Sequence, residues 1–356
     1  MTGHPSAIHV PLRRLPLVTL YVTERCNSRC VSCDYWRHGR GDMGLDAVER
    51  LLPDLAQLGT QVVLLSGGEP LLNPEWAPIA GLLKENGIEV WLLTSGLSLA
   101  KHARRAADLF DSITVSLDGA DRETYRAIRG LDAFDKVCEG IDAAAVHGLP
   151  PGIRVTLQRA NYRQLPALVD LAKRIGARGI SFLAADSANS HAFGRTNDLG
   201  VRTGDAGADL ALSPDDLPVF ERVLCSLEQD HFDDFRSGFI AESPQKLRRI
   251  LQYFAACCGQ DVYPTVRCNA PEFSTVIGAT GRVQPCFFIP GPSDARLVGD
   301  GDRSPRTLAG TLNGDGMATL RASIRSGARV ECRTCVCSMW RDLGTFTRSD
   351  FISGAA

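Results

Sequence analysis

The sequence predicts an α/β fold: a partial barrel of six strand–helix units, followed by a small α+β domain. Short apolar runs rich in β-branched residues alternate with amphipathic stretches of helical period along the first half of the 356-residue chain. Six such alternations predict parallel strands joined by right-handed crossovers. The later half changes character, and its apolar runs are fewer. We therefore expect a (β/α)6 barrel with a smaller domain behind it.

The barrel elements are predicted from their period, their length and the turn residues that bound them. The predicted strands are Leu17–Thr23, Gln61–Ser66, Glu89–Thr94, Ser112–Leu117, Gly152–Leu157 and Gly179–Leu183. The clearest helices between them are predicted at Leu45–Leu58, Trp76–Asn86, Ala133–His147 and Leu165–Ile175.

The region behind the barrel begins with a long loop. Asn189–Asp215 is dense in Gly, Asp, Asn and Ser, which is typical of a loop. Helices are predicted at Asp216–Gln229 and Pro244–Ala256, and a hairpin is predicted for Ser274–Ile277 and Arg282–Phe288. The resulting segments are an extension (1–16), the barrel (17–188), a loop and helical linker (189–256), a cysteine-bearing domain (257–343) and a tail (344–356).

Composition and charge exclude some classes of partner. The chain is 44% hydrophobic and 22% charged, which is ordinary for a globular protein. Its 39 basic and 41 acidic residues give a formal charge of −2 without long runs of one sign. This argues against nucleic acid or an anionic membrane as the main partner. Residues 1–16 lack the apolar core of a signal peptide, and no apolar stretch is long enough to span a membrane. We expect a cytoplasmic protein.

Cysteine is the unusual residue of this chain. Three of the 12 cysteines lie within Cys26–Cys33, and seven lie between Cys257 and Cys337. Without a secretory signal, a disulfide framework is disfavoured, and metal-binding or catalytic thiolates are the better interpretation.

The first group follows the first predicted strand and has the spacing CxxxCxxC, formed by Cys26, Cys30 and Cys33. Three soft sulfur ligands on one short loop can converge on an iron–sulfur cluster or on zinc. No fourth ligand follows promptly, and His38 is the only local candidate. Three ligands on a cluster leave one iron open to a substrate. A zinc knuckle and three reduced thiols are the alternatives.

A second motif, Gly67-Gly68-Glu69-Pro70, follows the second strand. Together the two motifs resemble the radical S-adenosylmethionine (SAM) superfamily, over roughly Leu17–Ala185. The resemblance implies a TIM-like partial barrel and a 4Fe–4S cluster whose open iron binds SAM. It also implies cleavage of SAM to a 5′-deoxyadenosyl radical, hydrogen abstraction from a substrate, and a reducing partner such as flavodoxin or ferredoxin.

Active residues of parallel barrels collect at the C-terminal ends of strands, and the resemblance assigns SAM contacts there. The Gly67–Pro70 turn would allow close approach and accept hydrogen bonds from the methionine ammonium, with Glu69 contributing. The other expected contacts are Ser95 to the ribose or substrate, Ser116 and Arg129 to the SAM carboxylate, and Leu183 to adenine. Glu69 as a helix cap and Arg129 as a solvated side chain are the alternatives. Ser32 stands where many relatives carry an aromatic residue that helps to bind adenine.

The second cysteine group resembles the twitch domain, a shortened SPASM domain. Cys268 and Cys286 flank the predicted hairpin, and Cys332 and Cys335 form a CxxC. The resemblance implies a second, auxiliary 4Fe–4S cluster held by these four thiolates. A zinc ribbon is the alternative. Cys337 rivals Cys335 as a ligand, and Cys257 or Cys258 could replace Cys332.

These features predict an oxidoreductase of the dehydrogenase type that acts on a small polar or natural-product substrate. The second cluster would accept one electron, so the net reaction is a two-electron oxidation. The alternatives are a peptide-modifying maturase (crosslink, thioether or epimerisation) and a non-catalytic iron–sulfur or zinc protein. The features of GTP-rearranging relatives are not evident. Asp186, His191 and Arg195 are candidate proton handlers, although we expect each to face solvent.

Overall fold

The computed structural model describes residues 11–187, 189, 192–195, 210–297 and 306–342. Its strands are β1 (Leu17–Thr23), β2 (Val62–Gly67), β3 (Glu89–Thr94), β4 (Ser112–Ser116), β5 (Gly152–Leu157), β6 (Gly179–Ala184), β7 (Ser274–Ile277) and β8 (Val283–Gln284). Its α-helices are α1 (Tyr35–His38), α2 (Leu45–Gln57), α3 (Trp76–Glu85), α4 (Leu99–Leu109), α5 (Arg122–Arg129), α6 (Phe134–Val146), α7 (Leu165–Arg174), α8 (Leu217–Asp230), α9 (Phe232–Ser237), α10 (Pro244–Cys257), α11 (Leu308–Asn313), α12 (Asp315–Arg325) and α13 (Val330–Arg333).

The strands form one sheet in the order β6-β5-β4-β3-β2-β1-β7-β8. The first seven strands in this order, β6 through β1 and then β7, are parallel to their neighbours. Among the described strand pairs, only β7–β8 is antiparallel. This confirms the predicted α/β class with six parallel strands in chain order. The strands predicted at Leu17–Thr23, Glu89–Thr94 and Gly152–Leu157 have the predicted bounds.

The C-terminal hairpin extends the barrel sheet. Leu17 of β1 pairs with Val62 of β2 on one side and with Ser274 of β7 on the other. The prediction of a strand over Arg282–Phe288 is wrong, because β8 ends at Gln284. There the chain turns, and the N–H of Phe288 donates to the sulfur of Cys286 instead of continuing a ladder.

The two faces of the sheet differ in burial. In β3, β5 and β6 every second residue is buried, and those residues belong to the main apolar core with the helices. The residues that alternate with them along each strand have half-buried side chains, and in β4 to β6 many of these side chains are polar. We call this second set the open face of the sheet. It comprises Leu64, Trp91, Leu93, Thr114, Ser116, Arg154, Thr156, Ser181 and Leu183.

The long loop predicted at Asn189–Asp215 lies mostly outside the described residues. Its described parts are Asn189, a short turn at 192–195 and the segment from Leu210. Among the described helices, none is long and apolar enough to cross a membrane.

Candidate functional site

The three N-terminal cysteines lie on the loop between β1 and α1, which is held against the end of α5. The N–H of Arg29 donates to the carbonyl of Arg129 (3.0 Å), and the N–H of Val31 donates to that of Ile128 (3.0 Å). Helix α5 ends at Gly130, which has φ of 71°. A Cβ there would lie 2.6 Å from the carbonyl oxygen of Arg29. Glycine therefore allows the loop to approach the helix this closely.

Several cysteine sulfurs accept hydrogen bonds from the main-chain N–H two residues further on. In the first group the N–H of Ser28 donates to Cys26 Sγ (3.4 Å). Such N–H groups stabilise a thiolate and tune iron–sulfur clusters, so this donor set fits a cluster. The same bond occurs in the C-terminal group, from Ala270 to Cys268 (3.5 Å), from Phe288 to Cys286 (3.5 Å) and from Cys337 to Cys335 (3.4 Å).

Two thiols of the first group, Cys26 and Cys33, are buried enough to resist ionisation. Burial raises the pKa of Cys26 to about 11, although the N–H of Ser28 opposes the shift. Burial raises the pKa of Cys33 far above its usual range, and Cys30 adds to the effect. A coordinated metal deprotonates its thiol ligands, so binding of a cluster would release protons here.

Gly67 and Gly68 bring the turn after β2 against the backbone that leads into the cysteine loop. The N–H of Gly68 donates to the carbonyl of Thr23, and the N–H of Glu69 donates to that of Arg25 (2.8 Å each). Gly67 has φ of 114°, and a Cβ on Gly68 would lie 2.1 Å from the Arg25 carbonyl oxygen. We predicted that these glycines allow close approach of a ligand. In the structure they allow close approach of the chain's own backbone, immediately before Cys26.

The substitution Gly68→Ala tests this contact. We expect it to lower the free energy of unfolding by about 1–3 kcal/mol, because the new methyl group would overlap a main-chain oxygen that cannot rotate away. It should also lower the iron content after anaerobic reconstitution, because Arg25 precedes Cys26. Gly81→Ala in α3 is the matched control. Its Cβ would meet only Leu109, at 3.9 Å, so alanine should be neutral or stabilising by up to about 1 kcal/mol. Equal effects of the two substitutions would contradict the prediction.

Glu69 is fully buried and ties the ends of β2 and β3 together. Its carboxylate accepts hydrogen bonds from Thr94 Oγ1 (2.6 Å) and from the N–H groups of Ser95 (2.6 Å) and Leu71 (3.3 Å). The bond from Leu71 is the helix-cap interaction expected as an alternative role for Glu69. Ser95 Oγ donates to Asn27 Oδ1 (3.3 Å) and so connects this network to the cysteine loop.

Arg129 lies between a buried carboxylate and the second cysteine. Its Nη2 is 2.7 Å from Asp118 Oδ2 and its Nη1 is 3.5 Å from Cys30 Sγ. Burial by itself would lower the pKa of Arg129, but Asp118 and Cys30 outweigh burial and raise it. Burial raises the pKa of Asp118, and Arg129 opposes that shift. Arg129 is therefore a buried, permanently charged group beside Cys30. The solvated alternative is excluded by its 9% exposure.

The remaining predicted SAM contacts lie on the same edge of the sheet. Ser116 is the last residue of β4, and Leu183 lies near the end of β6. Both belong to the open face. Pro70 is buried and starts a short 3₁₀ turn, Pro70–Leu72, after β2. The contacts of all these residues with SAM remain predictions.

The C-terminal group brings five thiols together. Burial raises the pKa of Cys286 to about 12, with Cys268 and Cys337 adding to the shift. Burial raises the pKa of Cys337 to about 11, and Cys268 adds to it. Cys335 interacts with Cys337 and Cys286. Cys332 interacts with Cys268. The sequence analysis named Cys337 only as a rival of Cys335, because spacing does not reveal which thiols meet.

Tyr21 lies between the two cysteine groups. Burial raises the pKa of Tyr21 well above its usual range, and Tyr35, Cys33 and Cys286 all add to the shift. Its ring centroid is 5.8 Å from that of Tyr35, in an edge-to-face arrangement, and 6.4 Å from that of Phe287. One side chain is thus close to a thiol of each group. This role of Tyr21 is not evident from the sequence, because an aromatic residue in a strand is normally assigned to the core.

Asp186 and Arg195 are both 2% exposed, so the expectation that they face solvent is wrong. Arg195 donates to the carbonyl oxygens of Asp186 (2.5 Å), Asn189 (2.8 Å) and Ser32 (3.4 Å). Burial lowers the pKa of Arg195, and Asp186 and Cys33 oppose that shift. The bond to Ser32 places the Arg195 side chain against the cysteine loop. His191 lies outside the described residues.

Cys257 and Cys258 lie at the end of α10. Cys257 Sγ is 3.6 Å from Ser187 Oγ and 3.8 Å from Tyr263 Oη. Cys258 Sγ donates to the carbonyl of Leu212 (3.0 Å). Among the described residues, no three His, Cys, Asp or Glu side chains are close enough together to hold a single metal ion.

A parallel partial barrel with three cysteines after β1 and a Gly-Gly-Glu-Pro turn after β2 defines the radical SAM class of folds. Residues 20–172 match the model of the Radical SAM superfamily. This part of the chain is a Radical SAM domain, and that family implies a 4Fe–4S cluster and SAM.

Two curated relatives each match 44% of the chain. The chain is 32% identical over 162 residues to the Fe-coproporphyrin III synthase of Methanosarcina barkeri, covering 44% of this chain and 40% of that protein. It is 37% identical over 163 residues to a probable GTP 3′,8-cyclase of Methanopyrus kandleri, covering 44% and 53%. The chain thus spans about half the length of the curated relatives it matches.

A solved structure extends the likeness in fold beyond the barrel. SuiB of Streptococcus suis, bound to its precursor peptide SuiA, matches with a TM-score of 0.61 at 16% identity. The match covers 93% of this chain and 72% of that one. At this identity the likeness concerns the fold alone.

Proposed function

We propose that this protein is an oxidoreductase that cleaves SAM reductively and oxidises a small polar or natural-product substrate by two electrons. With both clusters and SAM bound, the chemistry supplied is one-electron cleavage to a 5′-deoxyadenosyl radical, hydrogen abstraction from carbon, and acceptance of a second electron by the auxiliary cluster. Relative to its starting state, the substrate loses two electrons and two protons.

The observation that carries this proposal is that the ring of Tyr21 contacts both Tyr35, two residues after Cys33, and Phe287, the neighbour of Cys286. A hydrogen atom would be removed near the first cysteine group, and the remaining electron has to reach the second. Tyr35, Tyr21 and Phe287 form a continuous series of aromatic contacts between the two groups. The arrangement supports a reaction that uses both groups on one substrate.

The open face of the sheet supports a small polar substrate. Ser116, Arg154, Thr156 and Ser181 supply hydroxyl groups and one cation on adjacent strands, and all four are half-buried. Such side chains can orient hydroxyl, amino or carboxylate groups by hydrogen bonds. Arg154 also interacts with Cys337, which brings this face close to the second cysteine group.

Asp186 is the best-supported proton acceptor. It interacts with Cys335 of the second group, and its partner Arg195 interacts with Cys33 of the first. A carboxylate in this intermediate position could take the proton that the oxidised substrate releases. Arg195 would hold the loop after β6 in place through its three carbonyl bonds.

We further propose that Cys268, Cys286, Cys335 and Cys337 ligate the auxiliary cluster. Cys337 interacts with the other three thiols of this set, and this supports its assignment as a ligand. This exchanges Cys332 of the sequence prediction for Cys337. Four cysteine ligands would leave no iron open, which suits electron transfer better than substrate binding.

Single substitutions test the ligand set. We expect Cys337→Ala to lower the iron content by about four atoms per chain, whereas Cys332→Ala should retain both clusters. Iron and acid-labile sulfide are measured after anaerobic reconstitution. Cys225→Ala on the exposed side of α8 is the control. Loss of iron from Cys332→Ala but not from Cys337→Ala would contradict this proposal and favour the ligand set with Cys332 and Cys335.

The test of the function is the release of 5′-deoxyadenosine. Anaerobically reconstituted protein is reduced with dithionite in the presence of SAM, and the nucleoside is quantified by chromatography. We expect release of the nucleoside even without the true substrate. A non-catalytic iron–sulfur or zinc protein would release none, and that result would refute the proposal.

The alternative of peptide modification rests on the fold shared with peptide-bound SuiB. It would also produce 5′-deoxyadenosine. Product analysis separates the two reactions. A small polar substrate should lose two hydrogen atoms, whereas a maturase would crosslink or epimerise a peptide. We propose a reducing partner for either reaction and no role for nucleic acid or membrane.

A further inference from the structure

An open cavity of about 590 Å³ lies beside the first cysteine loop. Residues that line it include Cys26, Asn27, Arg29, Trp36, Arg37 and Arg40. Neither the predicted SAM contacts nor the open-face residues line it. The cavity is therefore lined by residues other than those that a substrate on the open face would contact.

The cavity is basic. Arg29, Arg37 and Arg40 are exposed, and the described lining contains no acidic side chain. Arg37 is paired with Asp34 through Nε and Oδ1 (2.9 Å). Within the described part of the chain, Arg29 and Arg40 form no ion pair, and Arg40 donates to the main-chain carbonyls of Gly39 and Arg37. Since the whole chain has a formal charge of −2, this positive charge is a local feature.

The surroundings of the cavity suit a protein partner better than a small anion. Val31, between Cys30 and Cys33, is 43% exposed. The guanidinium of Arg37 lies 4.1 Å from the ring centre of Trp36. Arginine and aromatic side chains are enriched in protein interfaces, and an apolar centre with a charged rim is typical of such surfaces.

We propose that this cavity is the docking site of an acidic one-electron carrier protein. The proposal rests on the function proposed above, because a cluster bound by Cys26, Cys30 and Cys33 has to be reduced from outside. Cys26 itself lines the cavity, so a carrier seated there would lie directly against a cluster ligand. One electron leaves the carrier and one enters the cluster, without transfer of a bond or a proton. Electron-transfer complexes are small and transient, and opposite charges accelerate their formation.

The double substitution Arg29→Glu/Arg40→Glu tests the docking site. The probe is a reduced acidic flavodoxin, and the comparison reductant is photoexcited deazaflavin, which is small and uncharged. We expect the rate of cluster reduction by flavodoxin to fall by about 10- to 100-fold at low salt, while reduction by deazaflavin is unchanged. The affinity for oxidised flavodoxin, measured by calorimetry, should fall by at least about 10-fold. The difference in rate should shrink near 1 M salt, where the Debye length is about 3 Å.

The matched control is Arg122→Glu/Arg126→Glu on α5, which reverses two charges at another cavity. It should leave both rates unchanged. Iron content is measured for every variant, and Arg40→Glu alone serves if the double variant retains less iron. The docking site would be overturned by any of three results for the rate of cluster reduction. These are an unchanged rate with flavodoxin, an equal loss of rate with deazaflavin, and an equal loss of rate in the control variant. If the wild-type protein accepts electrons but releases no 5′-deoxyadenosine, the proposed function fails while the docking site stands.

Discussion

Replacing Cys30 with alanine is expected to empty the first cysteine loop of iron and to lower 5′-deoxyadenosine release by about 100-fold or more. Two thiolates cannot hold a cluster that also needs an open iron for SAM. The substitution also removes the sulfur that Arg129 Nη1 approaches to 3.5 Å. Iron, sulfide and the electron paramagnetic resonance signal of the reduced protein report the cluster, and chromatography reports the nucleoside.

Two other cysteines serve as controls for Cys30. Cys138 is half-buried on α6, and Cys225 is exposed on α8. Neither belongs to the two cysteine groups, so alanine at either position should leave iron content and nucleoside release unchanged. If Cys30→Ala retained wild-type nucleoside release, cleavage would not depend on the loop, and the function proposed for this protein would be abandoned.

Arg129→Gln is expected to be among the most destabilising single substitutions. Asp118 and Arg129 are 2% and 9% exposed, and loss of the cation leaves a buried carboxylate without its ionic partner. Breaking such a pair costs about 3–5 kcal/mol. Burial already raises the pKa of Asp118, and Arg129 opposes the shift, so the substitution should raise that pKa further.

The sign of the pH dependence follows from linkage. A carboxyl group with a raised pKa binds its proton more tightly in the folded state than in the unfolded chain. The folded state is then favoured below the unfolded pKa, about 3.9 for Asp, and loses stability as pH rises through the folded pKa. Urea unfolding of Arg129→Gln should therefore show the smallest loss in acid and the largest near neutral pH.

The double substitution Asp118→Asn/Arg129→Gln separates the structural effect from the effect at Cys30. It removes both charges, and the oxygen of the new amide side chain could still accept the bond that Thr156 N–H donates to Asp118 Oδ1 (2.7 Å). Stability at neutral pH should recover, while SAM cleavage should be impaired in both the single and the double variant because Cys30 lacks its cationic neighbour. A pH-independent loss in Arg129→Gln, or no recovery in the double variant, would argue against a buried ion pair.

Much of the barrel was predictable because its elements are set by neighbouring residues. Short apolar runs rich in β-branched residues and bounded by turn residues located β1, β3 and β5 with their observed ends. Helix bounds agree to within a residue or two for α2, α3, α6 and α7. The CxxxCxxC loop and the Gly-Gly-Glu-Pro turn were predictable for the same reason, since each is a short motif at the end of a strand.

The sequence by itself determined the parallel α/β class, the order of the barrel elements and the two groups of cysteines. Only the tertiary structure decided that β7 pairs with β1, that Tyr21 lies between Cys33 and Cys286, and that Asp186 and Arg195 are buried. The physical reason is the distance along the chain: these contacts join residues separated by up to 265 positions, and their geometry depends on how whole elements pack. Spacing within a motif carries information about local geometry alone.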